Sequence, residues 1–114
     1  MAATRALLSS IPYLTGYAVE TGMLIDVLAA AGIDAMAQVD LGSRTNRNQS
    51  LHELGKMSYA VLLAVASRLH RDERLLEPGP DPESYVRAIR SVEGLDLDRT
   101  RVEVVERPPI AGVL

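Results

Sequence analysis

Hydrophobic residues recur at helical spacing in two long stretches of the chain. In the first, from Tyr17 to Ala31, they fall at positions 19, 23, 27 and 31, with further apolar residues beside them. This spacing predicts a helix with a wide apolar face that is largely buried. Gly32 follows directly, and we expect it to take the left-handed conformation that ends a helix.

The second long helix is predicted from Ser50 to about Arg71. Ser50 and Glu53 have the spacing of a capping box, in which the serine hydroxyl accepts a hydrogen bond from the backbone N–H three residues later. The predicted core face of this helix consists of Leu54, Val61, Leu62, Val65 and Leu69.

The remaining patterns are shorter. Asp34 to Leu41 alternates between apolar and polar residues, which predicts a strand, and Arg101 to Val105 is a second strand candidate. Residues 4–10 and 83–91 are predicted as short helices. The proline-rich stretch 77–82 predicts a turn-rich connector, because proline cannot continue a helix.

The order helix, strand, loop, helix, connector and strand is typical of a piece of an α/β or α+β fold. Two strands leave much apolar helix surface without a sheet to cover it. We therefore expect the chain to associate with a second copy through its long helices and to pack against further sequence. We divide the chain into residues 1–71 (helix–strand–loop–helix), 72–100 (a variable connector) and 101–114 (a C-terminal strand and tail).

Composition narrows the classes of protein. Of the 114 residues 47% are hydrophobic, so the chain is not a disordered tail. The net charge of −3 argues against nucleic acid or an anionic membrane as a partner recognised by bulk charge. The absence of cysteine removes disulfides and zinc thiolates, and no stretch approaches the ~18–20 apolar residues of a membrane span. A soluble cytoplasmic protein is the expectation.

Residues 44–48 are the most informative polar stretch. Arg44 and Arg47 offer forked donors for phosphate or carboxylate oxygens, while Asn46 and Asn48 add amides. The N-terminus of the following helix adds positive potential. The stretch would suit a phosphorylated or carboxylated small molecule. The alternative is that it is a solvated polar loop.

Other polar residues allow two interpretations each. Glu20 lies in the first turn of a helix, where the helix dipole favours a carboxylate, or it binds sugar hydroxyls beside Tyr17. Asp26, within an apolar helix, is expected to be paired or to lie at the solvent edge. His52 and His70 are too far apart to share a metal ion, so we interpret both as surface residues, and the sequence contains no metal-ligand cluster.

Three ordered blocks carry a resemblance to a known family. Residues 16–26, GYAVETGMLID, resemble the GYGVEIGLLID segment of glucosyl-3-phosphoglycerate synthases and their mannosyl relatives. Residues 32–48, GIDAMAQVDLGSRTNRN, resemble GLDAIAQVNLGVRAHRN, and residues 51–58, LHELGKMS, resemble LDELGAMS. The match covers residues 4–68 and, through a VDRPP-like ending, residues 102–109.

The resemblance implies the C-terminal, acceptor-side portion of a retaining glycosyltransferase of GT-A fold. Such an enzyme moves glucose from a nucleoside diphosphate glucose (UDP- or GDP-glucose) to 3-phosphoglycerate, with Mg²⁺ or Mn²⁺. The product is glucosyl-3-phosphoglycerate. The family also implies a homodimer.

The resemblance assigns roles residue by residue. Tyr17 and Glu20 match the catalytic positions that hold the donor sugar. Arg44 matches a position near the diphosphate, the metal and the acceptor. Asn48 matches an acceptor-binding position, and Met57 lies in the segment that closes over the donor.

Two departures from the family bear on activity. Asn46 stands where the family has its metal-binding histidine, and a neutral amide is a poorer ligand for Mn²⁺ than imidazole. The sequence also lacks a nucleotide-binding half with an Asp-x-Asp motif. We therefore expect the chain alone to be inactive. The alternative is a non-catalytic dimerising module, or a gene relic, with a residual phosphate- or carboxylate-binding loop.

Overall fold

The computed structural model describes residues 1–45, 49–77, 79–83 and 85–113, and their architecture is α+β. These residues form three α-helices and four short strands, and the α-helices are α1 (Arg5–Ser10), α2 (Val19–Ala31) and α3 (Leu51–Arg71). Three single 3-10 turns are formed by Gly16–Ala18, Ile33–Ala35 and Ile110–Gly112. The strands are β1 (Tyr13–Leu14), β2 (Tyr85–Ser91), β3 (Gly94–Thr100) and β4 (Glu106–Arg107).

Both long helices are confirmed. Helix α2 begins two residues later than predicted, because residues 16–18 form a 3-10 turn. It ends at Gly32, whose φ of 80° is a conformation that favours glycine. Helix α3 begins directly after Ser50, whose Oγ accepts a hydrogen bond of 3.2 Å from the backbone N–H of Glu53.

The strand predicted from Asp34 to Leu41 is wrong. A 3-10 turn occupies Ile33–Ala35, and residues 36–45 have no regular structure. Val39 and Leu41 are 74% and 91% exposed. A strand is completed by hydrogen bonds to a neighbouring strand, and none of the described strands lies beside this segment.

Two predictions in the C-terminal third are also wrong. The stretch 83–91, predicted as a helix, contributes β2, which pairs antiparallel with β3 in a hairpin closed by Ser91 opposite Gly94. Residues 101–105, predicted as a strand, have no strand assignment. The strand that follows them, β4, pairs with β1 (Leu14 opposite Glu106, Tyr13 opposite Arg107), more than 90 residues earlier in the chain, a partnership that local patterning cannot show. The predicted connector 72–100 therefore contains the hairpin.

The buried core consists of two small clusters built on α3. Leu14, Ala18 and Ala64 form one, and Ala60, Leu63 and Val102 form the other. The predicted core face of α3 is therefore wrong at two of its leucines, Leu54 (45% exposed) and Leu62 (50% exposed). Alanines are buried in their place because other backbone segments approach α3 closely on that side.

Helix α2 is less buried than its apolar pattern predicts. Leu24 and Leu28 are 46% and 49% exposed, and Gly22 and Asp26 are its buried residues. The radius of gyration is 17.2 Å, compared with ~13 Å for a compact domain of this length. The chain is thus extended, and much apolar surface lies on its outside.

Candidate functional site

Tyr17 and Glu20 lie at the start of α2. Tyr17 is on the 3-10 turn that precedes the helix and is 50% exposed, and Glu20 is exposed in the first helical turn. Neither side chain forms a hydrogen bond or ion pair with another described residue. The hydroxyl and the carboxylate are therefore available to a ligand.

The 3-10 turn is held in place by the C-terminal segment. The backbone N–H of Thr15 donates to the carbonyl of Val105 at 2.9 Å. In return the N–H of Val105 donates to the hydroxyl of Thr15 at 2.8 Å. This reciprocal pair fixes the backbone two residues before Tyr17.

Small side chains bring this turn against α3. Ala18 and Ala64 both have no exposed surface and belong to the same cluster as Leu14. Because alanine carries a single methyl group, the backbone of the turn approaches the helix closely. Residues on either side of Ala18 are thereby positioned next to the middle of α3.

Met57 lies on the same face of α3 as Ala64. The two residues are seven positions apart, which is two helical turns or ~10 Å along the axis. Met57 is half-buried. The structure therefore brings together the elements that carry Tyr17, Glu20 and Met57.

Arg44 lies in the irregular segment before α3 and is exposed. No hydrogen bond or ion pair joins it to another of the described residues. Asn46, Arg47 and Asn48 are outside the described residues, so their predicted roles in acceptor and metal binding stay predictions.

The described residues do not fit the metal that the resemblance implies. Within residues 1–45, 49–77, 79–83 and 85–113, no three His, Asp or Glu side chains are grouped as metal ligands. His52, predicted as a surface residue, is half-buried, and its Nδ1 is buried without a partner among the described atoms. His70 is exposed, with Nδ1 3.0 Å from the carbonyl oxygen of Leu75.

A buried ion network joins α2 to α3, and sequence reasoning found only one of its members. Asp26 is paired, as predicted: its Oδ2 accepts from Nη2 of Arg68 at 2.9 Å and its Oδ1 from Nη1 of Arg71 at 2.8 Å. Arg68, which also contacts Glu106 of β4, was missed. The available signal was a single aspartate among the apolar residues of α2 and two arginines, Arg68 and Arg71, in the last turn of α3.

The ion pairs at the end of α3 shift the pKa values of Arg71 and Asp72. The hydrogen bond to Asp72, followed by the one to Asp26, raises the pKa of Arg71. The same Arg71 guanidinium lowers the pKa of Asp72. Arg71 therefore remains charged, and its bond to Asp26 helps to hold α2 and α3 together at the end of α3 away from Tyr17.

Among the helices that the structure describes, none combines the length and the apolar character needed to cross a bilayer. No protein-family model matches the chain.

Comparison with known proteins identifies the class. Mannosyl-3-phosphoglycerate synthase from Rubrobacter xylanophilus superposes with a TM-score of 0.87 at 53% sequence identity, over 98% of this chain and 36% of that one. The chain is thus related to the C-terminal part of glycosyltransferases.

The curated relatives narrow the class to one enzyme, because those that the chain matches are glucosyl-3-phosphoglycerate synthases. The enzyme of Mycobacterium tuberculosis is 40% identical over 115 residues, covering 96% of this chain and 32% of the relative. That of Petrotoga mobilis is 33% identical over 112 residues. The resemblance seen in the sequence is confirmed, and the chain spans about a third of the length of the curated relatives it matches.

Solved structures of the M. tuberculosis enzyme agree in fold. Its complex with Mn²⁺, UDP and glucosyl-3-phosphoglycerate superposes with a TM-score of 0.80 at 36% identity, over 98% of this chain and 36% of that one. Another of its structures contains Mg²⁺ and UDP. The predicted class, helices with a few short strands from the C-terminal part of such an enzyme, is confirmed.

Proposed function

We propose that the chain is the acceptor-side portion of a retaining glycosyltransferase that moves glucose from UDP- or GDP-glucose to 3-phosphoglycerate. One observation carries this: nearly the whole chain is similar to synthases whose names share 3-phosphoglycerate and differ in the hexose. The acceptor is therefore better supported than the sugar.

The donor and the cation are supported by the relative rather than by this chain. Structures of the M. tuberculosis enzyme contain UDP-glucose, UDP, phosphoglyceric acid and Mn²⁺ or Mg²⁺. In this chain we assign the donor hexose to Tyr17 and Glu20, whose polar groups are exposed and without partners among the described residues. Met57, on the adjacent face of α3, would contact the donor.

The acceptor is assigned to Arg44 and Asn48. Arg44 is exposed and makes no ion pair within the described ranges, so no described carboxylate competes with a ligand for its guanidinium. An arginine fork matches the geometry of phosphate and carboxylate, and 3-phosphoglycerate carries both groups. We expect Arg44 to supply most of the electrostatic attraction and Asn48 to orient the ligand.

The isolated chain should not turn over substrate. The described residues provide no ligand set for a divalent cation, and Asn46 would offer one neutral amide. Incubation with UDP-glucose, 3-phosphoglycerate and Mg²⁺ should yield no glucosyl-3-phosphoglycerate by mass spectrometry, and turnover would contradict the assignment of this portion as incomplete.

The test of acceptor binding is isothermal titration of the chain with 3-phosphoglycerate. We expect saturable binding that is lost in the double variant Arg44→Ala, Asn48→Ala. The matched control is Arg74→Ala, which removes an exposed arginine beyond the opposite end of α3, ~30 Å away along the helix. Binding that survives the double variant, or that Arg74→Ala abolishes, would place the acceptor elsewhere.

A non-catalytic module that binds phosphorylated acids is the second candidate, and it is favoured by the exposed guanidinium of Arg44, which pairs with no described carboxylate. Inorganic phosphate and D-glycerate separate the two functions. Selective binding of 3-phosphoglycerate over both supports the transferase portion, whereas equal binding of phosphate supports the general module.

A further inference from the structure

Thr15 occupies the N-cap of the 3-10 turn Gly16–Ala18, yet its side chain does not cap that turn. A threonine at a helix N-cap usually accepts a hydrogen bond from a backbone N–H two or three residues later. Here the hydroxyl accepts instead from the backbone N–H of Val105, at 2.8 Å and 90 positions away in the sequence. The hydroxyl is therefore committed to a distant segment rather than to its own turn.

The hydroxyl of Thr15 also ends the β1–β4 ladder. Leu14 pairs with Glu106, so Thr15 and Val105 are the next residues in register. In a regular hydrogen-bonded antiparallel pair, the two opposed residues exchange both backbone bonds. The N–H of Thr15 donates to the carbonyl of Val105 at 2.9 Å, but the N–H of Val105 donates to the hydroxyl and not to the Thr15 carbonyl. The side chain thus replaces one backbone acceptor, and the chain leaves the ladder at this residue.

The residue after Thr15 is not held by packing. Gly16 has a φ of 67°, in the left-handed region that favours glycine, and a Cβ built on it would meet nothing within 4 Å. Its backbone angles therefore depend on the anchors on either side. One anchor is Thr15, bonded to Val105, and the other is Ala18, which has no exposed surface and lies in the cluster that contains Ala64 of α3.

Tyr17 lies between these two anchors, and Glu20 lies beyond the second one. Neither side chain forms a hydrogen bond or an ion pair with a described residue, so the backbone alone determines where each is presented. Glu20 belongs to α2 and moves with that helix. The position of Tyr17 relative to Glu20 therefore depends on how the chain enters Gly16 from Thr15.

We propose that Thr15 is a positioning residue for the donor hexose, because its hydroxyl holds Tyr17 in the correct position relative to Glu20. This role rests on the proposed function, which assigns the hexose to these two residues. Without the hydroxyl, the half-buried N–H of Val105 has lost its acceptor, which is unfavourable. The ladder then closes onto the carbonyl of Thr15, and the backbone that enters Gly16 is redirected.

The C-terminal segment stays docked without the hydroxyl, so the effect of Thr15 is separable from folding. Glu106 contacts the buried Arg68 of α3, and Val104 packs against both core clusters. Leu14 is buried in one of those clusters. None of these contacts uses the Thr15 side chain, and they fix the same segment that carries Val105.

The first test compares Thr15→Val, which removes the hydroxyl, with Thr15→Ser, which keeps it. The reporter is the backbone N–H of Val19, which donates to the carbonyl of Gly16 and closes the turn. We expect its hydrogen exchange, followed by NMR, to become about fivefold faster in Thr15→Val, as the loss of one hydrogen bond implies, and to stay unchanged in Thr15→Ser.

The matched control is Thr4→Val, since Thr4 caps α1 through its own hydroxyl. This variant should leave the exchange of Val19 unchanged. If Thr15→Val accelerates exchange equally in the middle of α3, the effect is global, and the positioning role is overturned. The role is also overturned if Thr15→Ser behaves like Thr15→Val.

The second test is titration with UDP-glucose. In the parent chain the backbone NMR signals of Tyr17 and Glu20 should shift to saturation with UDP-glucose and stay in place with UDP. Thr15→Val should weaken this binding by about fivefold, and Thr15→Ser should retain it. If the parent chain shows no shift, the donor assignment fails and the role of Thr15 fails with it. If Thr15→Val binds as tightly as the parent chain, the positioning role alone is overturned and the proposed function stands.

Discussion

Oδ2 of Asp26 accepts a hydrogen bond of 2.9 Å from Nη2 of Arg68, and both side chains are 4% exposed. The bond joins α2 to α3 across 42 positions of sequence. Arg68 also contacts Glu106, and Asp26 also accepts from Arg71, so each buried charge has two partners. The free energy of unfolding should therefore fall when any one of these charged side chains is removed from the network.

Replacing Arg68 with Met should lower the free energy of unfolding by about 3–5 kcal/mol, because it leaves the buried Asp26 carboxylate with one partner. Urea denaturation followed by circular dichroism measures this. The double variant Asp26→Leu, Arg68→Met removes both buried charges and should be more stable than Arg68→Met alone. If the two variants lose the same free energy, the pairing is not what the single substitution disrupts.

The pairing with Arg71 makes a pH effect at Asp72 predictable. Arg71 holds the pKa of Asp72 below its ordinary value of 3.8 in the folded chain. The contribution to stability is therefore present above pH 3.8 and is lost as the pH falls through the lowered pKa. The melting temperature of Asp72→Asn should lie slightly below that of the parent chain near pH 6 and converge with it near pH 2. A difference that stays constant with pH would contradict the ion pair.

Gly22 lies where α2 packs closely against Leu14 of β1. A Cβ at this position would lie 2.8 Å from Cδ1 and 3.2 Å from Cγ of Leu14, which is itself buried. Although alanine is favoured by ~1 kcal/mol in a helix, overpacking costs about 1–3 kcal/mol, so Gly22→Ala should destabilise by about 1 kcal/mol. Gly112→Ala is the control, since a Cβ there meets nothing within 4 Å. Stabilisation by Gly22→Ala would show that Leu14 can move aside.

The cap of α3 gives a fourth prediction. Ser50→Ala removes the acceptor for the Glu53 N–H and should cost about 1 kcal/mol in the free energy of unfolding. Ser58→Ala is the matched control for Ser50→Ala. That serine lies inside the same helix and donates to the carbonyl of Leu54, a bond whose loss should change stability by less than about 0.5 kcal/mol. Equal effects of the two substitutions would rule out a specific capping contribution.

Local signals predicted the helices and failed on the strands, for a physical reason. Gly32 and Ser50 act on the backbone within one turn, so the sequence near them was sufficient. Strand β4 pairs with β1, whereas the stretch 34–41 has no partner among the described strands. Both outcomes depend on residues that are distant in the sequence. Periodicity over 83–91 did not distinguish a short helix from the first strand of a hairpin.

The candidate site was predictable where its residues form contiguous blocks. Tyr17, Glu20 and Met57 come from such blocks, and the structure adds what brings them together: the contact of Ala18 with Ala64. An alanine–alanine contact has no signature in hydrophobic patterning, because alanine is common on both buried and exposed faces.

The irregular segment with Val39 and Leu41 on its outside has a thermodynamic consequence. Its alternating side chains suit a pleated ribbon, yet residues 36–41 belong to no helix or strand. Any surface that recruits this stretch must first restrict its backbone, at ~1–2 kcal/mol per residue. Recruitment would therefore show a negative heat-capacity change from the buried Val39 and Leu41, and an affinity lower than that same apolar area would give between two rigid bodies.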